Sequence, residues 1–500
     1  MDNKLLPFWL SVNVDRNPYA IAIVDGNKRI TYSEMNDSVS RLAGWLISRG
    51  VQQGDRVVLL LPNSSEFVIS FFAIARIGAV AVPLNVQYKE QELAAYLKDS
   101  NPKVVIALGH LIPLIKGIIL LINNKACDIV SVHNERNESF SYTQVVRENS
   151  PFSGTVNVLS ENDLLCQYSS GSTGIPKRIM RTHLNLVSEA SNFNSTVKLA
   201  NSDKILCVVP LFHAHGLGNC MLASVYAGAT LVILEGFNRQ GVLKTIQDER
   251  ITVFPGVPFI FSILADMPLR EVMAFPFLRL CFSAGAALPR ETFQKFLEKY
   301  GVPIRQLYGS TETGSVSINL NKDVSETADS VGLPMKNVEV EIFGEKGEIL
   351  QPNEIGNIGI KSSAMMKGYS GLENLNKESF RDGYFFPLDL GKKDEGGNIY
   401  LRGRKTSFIN TGGNKVDPSE IEILLGKHSK VKEVVVVGVK SYYGEDVIKA
   451  VVVPNDRCDE REIVEFCKGK IADFKIPRIV EFRKEIPKNP LGKVLKKYLH

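Results

Sequence analysis

The chain has 500 residues, 44% hydrophobic and 23% charged, which excludes a disordered polymer and suits a soluble globular protein of roughly two to four structural units. Its formal net charge of +5 comes from 59 basic and 54 acidic residues, an excess too slight and too dispersed to argue for a nucleic-acid partner. The seven cysteines form no Cys-x-x-Cys pair and read as reduced thiols.

The opening residues lack a sustained apolar stretch and carry charges on both sides, so no signal peptide is expected. Residues 21–24 and 30–32 flank an Asp25-Gly26-Asn27 turn and read as a hairpin. Apolar residues at helical spacing (Met35, Val39, Leu42, Leu46) predict a helix over 33–48. Strand signals at 57–61, 80–83 and 104–107 alternate with helical ones at 66–77 and 90–98, the pattern of an α/β sheet with helices on its faces. The most apolar run, 111–122, is broken by Pro113, Lys116 and Gly117 and is too short to span a bilayer. A cytoplasmic protein is expected. Residues 123–162 are polar and weakly periodic and read as a surface excursion.

A short apolar strand then leads into YSSGSTGIPK, residues 168–177. Ser169, Ser170, Ser172 and Thr173 supply hydroxyl donors, Gly171 and Gly174 let the backbone turn, and Lys177 adds a cation. Such a run can cradle phosphate. Its composition also suits a Ser/Gly linker, and it is not a Walker loop, because no Ser or Thr follows the lysine. A helix from 184 and a strand at 204–210 follow, the strand ending in Phe212-His213-Ala214-His215-Gly216. Two histidines without a third ligand nearby point to a pocket lining rather than a metal.

Strands at 230–234 and 253–255 precede a run whose small residues, Ala284, Gly285, Ala286 and Ala287, admit either a ligand or tight packing. In QLYGSTETG, residues 306–314, Tyr308 beside Gly309 suits stacking on a base. Ser310, Thr311 and Glu312 suit a phosphate or a hard cation, or simply a capped polar turn. Residues 330–360 alternate short strands with Gly/Pro/Asn turns, an antiparallel unit. Asp389 is a carboxylate suited to a ribose. From about 404 the signals are those of a small α+β unit, with Pro418 opening a helix and Lys493 near a basic end.

YSSGSTGIPK resembles the phosphate loop of the adenylate-forming superfamily, which holds acyl- and aryl-CoA ligases, peptide-synthetase adenylation domains and firefly luciferase. Five motifs stand in that family's order, at 168–177, 308–314, 382–391, 403–413 and 487–493, and cover nearly the whole chain. The resemblance implies an α/β fold: a large N-terminal domain of two α/β subdomains plus a small β-barrel-like unit at about 330–400, over residues 1–403. A small mobile α+β lid, 404–500, would carry the catalytic lysine.

It further implies that Ser169 to Gly174 and Lys177 hold the ATP phosphates. Glu312 would hold Mg2+ with Thr311 beside it. Gly285, Ala286, Tyr308, Gly309 and Ser310 would receive adenosine, with Asp389 and Arg404 on the ribose. Lys493 would bridge the acid carboxylate and the α-phosphate. Phe212, His213, Ala214, Gly216 and Ala284 would line the acyl pocket, His213 matching a pocket histidine of the CoA-ligase branch. Gly412 and Gly413 would line a thiol channel. The chain departs from the family at Pro387-Leu388, which replaces Thr-Gly before Asp389, at Thr406 in the hinge position, and at Asn410.

The activity implied is ATP-dependent activation of a small-molecule carboxylic acid as an acyl adenylate, then thioester formation with CoA. Residues 210–222 hold no Asp or Glu for an amino acid's ammonium and no arginine for a second carboxylate, so a fatty or aromatic acid is favoured. The chain stops soon after Lys493 with no fused carrier domain, which favours CoA. A separate phosphopantetheinyl carrier protein is the alternative acceptor, and an inactive nucleotide- or acyl-binding relative is the alternative of another class. The oligomeric state is left open.

Overall fold

Apolar strands joined by helices build two sheets, stacked about one continuous core. A computed structural model describes residues 2–124, 126–133, 140–152, 154, 156–169, 177–268, 275–324, 327–404, 409–441, 445–487, 494 and 498–499, with backbone alone at 169, 404 and 419. The first sheet runs in the order Phe140–Ser141, Asp128–Val132, Val104–Leu108, Arg56–Leu60, Val80–Pro83, Asp163–Ser169, Lys177–Thr182. Its strands are parallel except for the last pair. Parallel neighbours need crossovers, and the helix Ser65–Arg76 supplies one. Every residue of that helix from Ser65 to Ala75 is buried, which is why it reads apolar all round. The Ser64 hydroxyl caps it by accepting from the Phe67 amide at 3.2 Å.

The second sheet has nine strands. Its parallel centre is Leu280–Ser283, Val253–Gly256, Lys204–Cys207, Thr230–Ile233 and Ile21–Asp25. Ile304–Ser310 adds to it in parallel, and Gly314–Ile318 then turns back antiparallel. The helix Tyr32–Ser48 packs on this core through Met35, Val39 and Leu42. It starts in a reciprocal cap between Thr31 and Glu34. A six-stranded antiparallel sheet formed between residues 339 and 404 follows. A bridge from Gly332 to Ile399 ties it to the segment leading from the nine-stranded sheet.

The excursion expected at 123–162 is in part sheet. Asp128–Val132 pairs in parallel with Val104–Leu108, and Val130, Ser131 and Val132 are buried. Tyr142–Glu148 is a helix whose Ser141 cap accepts from Gln144. A five-residue strand containing Asp128 and Ser131 has no visible apolar run, so its partner strand decides its conformation.

In the smaller C-terminal unit Asp446–Pro454 is the central strand, antiparallel to Val431–Lys440 and parallel to Ile479–Phe482. The helices Pro418–Leu425 and Glu460–Cys467 join it around a separate apolar cluster that includes Ile421, Leu425, Val436 and Val452. A hairpin, Ile409–Thr411 with Asn414–Val416, projects towards the larger unit. Among the described residues no helix is long and apolar enough to cross a membrane.

His183 lies wholly inside the core. Its Nδ1 accepts from the Leu6 amide at 3.4 Å, and burial pushes its pKa down to about 4. The unfolded chain protonates this histidine near pH 6.5 and the folded chain does not. Stability is therefore full above about pH 6.5 and falls as the pH drops towards about 4, by up to about 3 kcal/mol for this residue. Denaturant unfolding of wild type and His183→Gln across that window should give a smaller pH slope for the variant.

Candidate active site

Strand ends of both sheets converge on a cavity of about 820 Å³, to whose wall the C-terminal unit also contributes residues, Asn414 and Lys475 among them. Asp163–Ser169, Lys204–Cys207, Leu280–Ser283 and Ile304–Ser310 all lead into it from their carboxyl ends, where open α/β sheets bind ligands.

Behind the wall formed by Gly309 and Leu388, the Tyr308 hydroxyl donates to Asp389 Oδ2 at 2.6 Å, and both side chains are buried. These residues are 81 apart in sequence. Asp389 also pairs in register with Arg404 across two antiparallel strands, so the backbone brings 389 and 404 side by side. Leu388, just before, has φ +66° and lies on the cavity wall. A leucine in the left-handed region costs about 1–2 kcal/mol. Leu388→Gly should raise the unfolding free energy by about 1 kcal/mol, less the entropy glycine adds to the unfolded chain. Chemical denaturation would read it directly.

Next to this pair lies a group suited to phosphate. Glu312 Oε1 accepts from the Tyr369 hydroxyl at 3.1 Å, and Lys177 Nζ stands 5.5 Å from the Tyr369 ring centre. The Glu312 carbonyl accepts from the Met366 amide at 2.7 Å. Thr313 Oγ1 accepts from the Ser310 amide at 3.2 Å, which holds the turn that presents Ser310, Thr311 and Glu312 on the wall. Gly309 is obligatory here, since a Cβ would meet the Gly314 carbonyl oxygen at 2.4 Å. Tyr369 was not anticipated from the sequence; an aromatic in a Lys-Gly-Tyr stretch carries no signal of its own.

The other side is built from the strand end after Cys207. His213, half-buried on the wall, lies 3.4 Å from Asn414 Oδ1 on the C-terminal hairpin. His215 Nε2 donates to the Gly256 carbonyl at 3.1 Å, and its Nδ1 accepts from Asn219 Nδ2 at 2.9 Å. Ser315 Oγ donates to Asn219 Oδ1 at 2.7 Å. Burial pushes the pKa of both histidines down to about 4, so both are neutral. Asn219 lies in a π-helical turn, Leu217–Leu222, that follows the first helical turn after His213. Asn219 stands four residues after His215, a spacing that could have been read as one helical face.

Ala214, Ala284 and Gly285 lie on the cavity wall with Val257 and Gly413. Phe212, Gly216, Ala286, Tyr308, Asp389 and Gly412 do not. The Phe212 carbonyl accepts from Gln167, and the Gly412 amide donates to Glu445 at 2.8 Å. Gly216 is a packing glycine, since a Cβ there would lie 2.3 Å from the Pro210 oxygen. Ser170, Gly171, Ser172, Thr173, Gly174, Thr406 and Lys493 lie outside the described residues, as do the side chains of Ser169 and Arg404.

The chain matches the AMP-binding enzyme family over residues 10–370 and the AMP-binding enzyme C-terminal domain over 420–493. It is 32% identical to a long-chain-fatty-acid–CoA ligase of Bacillus subtilis, over 100% of this chain and 94% of the relative. It is 31% identical to a feruloyl-CoA synthase of an Amycolatopsis species, over 99% and 98%. The solved structure of o-succinylbenzoate CoA synthetase from Bacillus subtilis, a double mutant bound to its product analogue, superposes with a TM-score of 0.87 at 25% identity, covering 98% of each chain. Fold and site together define an adenylate-forming enzyme of two unequal domains. The chain belongs to the AMP-binding enzyme family. By class it is an AMP-forming acid–thiol ligase.

Proposed function

We propose that this chain joins a fatty or aromatic acid to CoA in the cavity described above, in two steps. The observation that carries the reading is one cavity with three distinct sides. Gly309 and Leu388, backed by the buried Tyr308–Asp389 pair, form a nucleoside side, Glu312 and Lys177 a phosphate side, and His213 with Ala284 an acid side. In the first step the acid's carboxylate oxygen attacks the α-phosphorus of ATP, and pyrophosphate leaves. Negative charge gathers on phosphate oxygens in that transition state, so cations already in place lower the barrier. Lys177 and the expected Lys493 are those cations.

Glu312 is one hard oxygen donor that fits Mg2+, with phosphate oxygens completing the shell; when bound, the ion neutralises phosphate charge. Asp389 accepts from the ribose hydroxyls while Tyr308 holds it in place. In the second step the CoA thiol reaches the adenylate carbonyl along the hairpin that carries Gly412 and Gly413, and AMP leaves. The His213–Asn414 contact brings that hairpin against the acid side, an arrangement suited to this step. Thr406 is the proposed hinge between the two arrangements, and residues 404–500 the moving lid. Seven unpaired cysteines suit a reducing cytoplasm.

The test is pyrophosphate release with ATP and Mg2+ across fatty, aryl, amino and dicarboxylic acids, with and without CoA. The reading expects release with fatty or aryl acids and acyl-CoA only when CoA is present. Release without acyl-CoA would transfer the acceptor role to a carrier protein. No release, with ATP still bound, would overturn the enzyme reading in favour of a binding protein.

A further inference from the structure

Around Glu189 the cavity wall offers hydrogen-bond acceptors and, among the described residues, no cation that is not already paired. Arg181 and Glu189 pair there at 2.7 Å, each side chain 1% exposed. Arg181 also donates to the carbonyls of Ala364 at 2.7 Å and Asn185 at 3.5 Å, so its charge is directed into the core. Only one oxygen of Glu189 is engaged. Oε2 accepts from Arg181, while Oε1 has no donor among the described residues, and Glu189 stands on the cavity wall.

Two glycines leave the space this carboxylate occupies. A Cβ on Gly218 would lie 2.3 Å from Oε1, and one on Gly314 would lie 2.7 Å from the carboxylate carbon. Beside it the Ser315–Asn219–His215–Gly256 chain runs inward and spends the Ser315 hydroxyl proton and the His215 ring N–H on the protein itself. The described lysines of the cavity wall stand elsewhere. Lys177 lies by Tyr369, Lys475 between Glu92 and Glu420, and Lys415 on the C-terminal hairpin.

We propose that Glu189 sets the substrate class, so that the preferred acid carries a hydroxyl at its far end that donates to Glu189 Oε1. A second carboxylate at that position would meet Glu189, whose partner cation, Arg181, is already engaged by it and by the Ala364 and Asn185 carbonyls, so dicarboxylic acids are poor substrates. An acid ending in hydrogen would leave the acceptor dry and unpaired, and an ether would add an acceptor to an acceptor. This inference rests on the reading that an acid is activated here.

The experiment uses matched trios of benzoic and cinnamic acids whose para group is hydroxyl, methoxy or hydrogen, together with the para-carboxyl analogues. Both kcat/KM and direct binding by calorimetry are measured. Expected is a preference of tenfold or more for the hydroxyl acid over its hydrogen and methoxy partners, in turnover and in binding. Glu189→Gln keeps an oxygen for Arg181 and turns an N–H towards the cavity, so the methoxy acid should gain on the hydroxyl acid. Equal values across the trios, or a preference for the para-carboxyl acid, would overturn the assignment of Glu189. A hydroxyl preference in binding without any turnover would support the assignment and overturn the ligase reading instead.

Discussion

Replacing Lys493 with alanine should lower ATP-dependent pyrophosphate formation by about 10²–10³-fold and leave thioester formation from a supplied acyl adenylate nearly unchanged. The first step is the attack of one anion on another. A carboxylate approaches an α-phosphate whose oxygens already carry charge, and each fixed cation offsets that repulsion. Lys493 closes the stretch Pro487 to Lys493, which resembles the family's lysine-bearing end, and it lies outside the described residues. In the second step the acyl group is already activated and AMP is the leaving group, so a cation bridging carboxylate and phosphate has little left to stabilise. Lys493→Arg should recover part of the first step, since it keeps charge but changes reach and geometry. Equal loss in both half-reactions would mean that the lysine serves folding or nucleotide binding instead.

Replacing Lys475 with methionine should have the opposite profile, with thioester formation falling and single-turnover adenylation held. Lys475 Nζ donates to Glu92 at 2.6 Å and to Glu420 at 2.8 Å, and the residue is 5% exposed. Glu92 belongs to the large unit, on the helix Glu90–Ser100. Glu420 and Lys475 belong to the small one. Burial raises the pKa of Glu92 more than the cation lowers it, and the two carboxylates with Tyr88 hold the Lys475 ammonium above its usual range despite burial. Removing the cation leaves two carboxylates together in a dry interface, a loss of about 3–5 kcal/mol. That loss falls on the present arrangement of the two units, because a rotated lid would separate Glu92 from Glu420. Lys89 and Asp473 pair across the same seam at 3.2 Å, but Lys89 is only half-buried and Asp473 exposed, so the pair contributes little. Loss of adenylation together with thioester formation would assign the pair to folding rather than to this arrangement.

Two of the residues proposed for the nucleoside were legible in the sequence because they sit in short motifs. Tyr308 and Asp389 were read from local patterns, and the structure brings their side chains together. The α/β alternation of the first 110 residues was legible for a related reason, since each helix and strand there buries a clear face. Asp128–Val132 was hidden because pairing with Val104–Leu108 decides it, not its own composition. The acid side was hidden for another reason. Small residues near His213 suggested room for an apolar group, while Glu189 and Ser315 arrive from a helix and a strand distant in sequence. The replacement of Thr-Gly by Pro387-Leu388 was visible, but its consequence was not. The turn keeps a left-handed residue and places a leucine there.

The most direct test of the adenylate is isotopic. The acid, labelled with 18O in its carboxylate, is turned over with ATP, Mg2+ and CoA, and the nucleotide and phosphate products are weighed. Attack on the α-phosphorus predicts one 18O atom in AMP and none in pyrophosphate. Label in inorganic phosphate with ADP as the nucleotide product would mean attack on the γ-phosphorus, and would contradict the adenylate on which the whole reading rests.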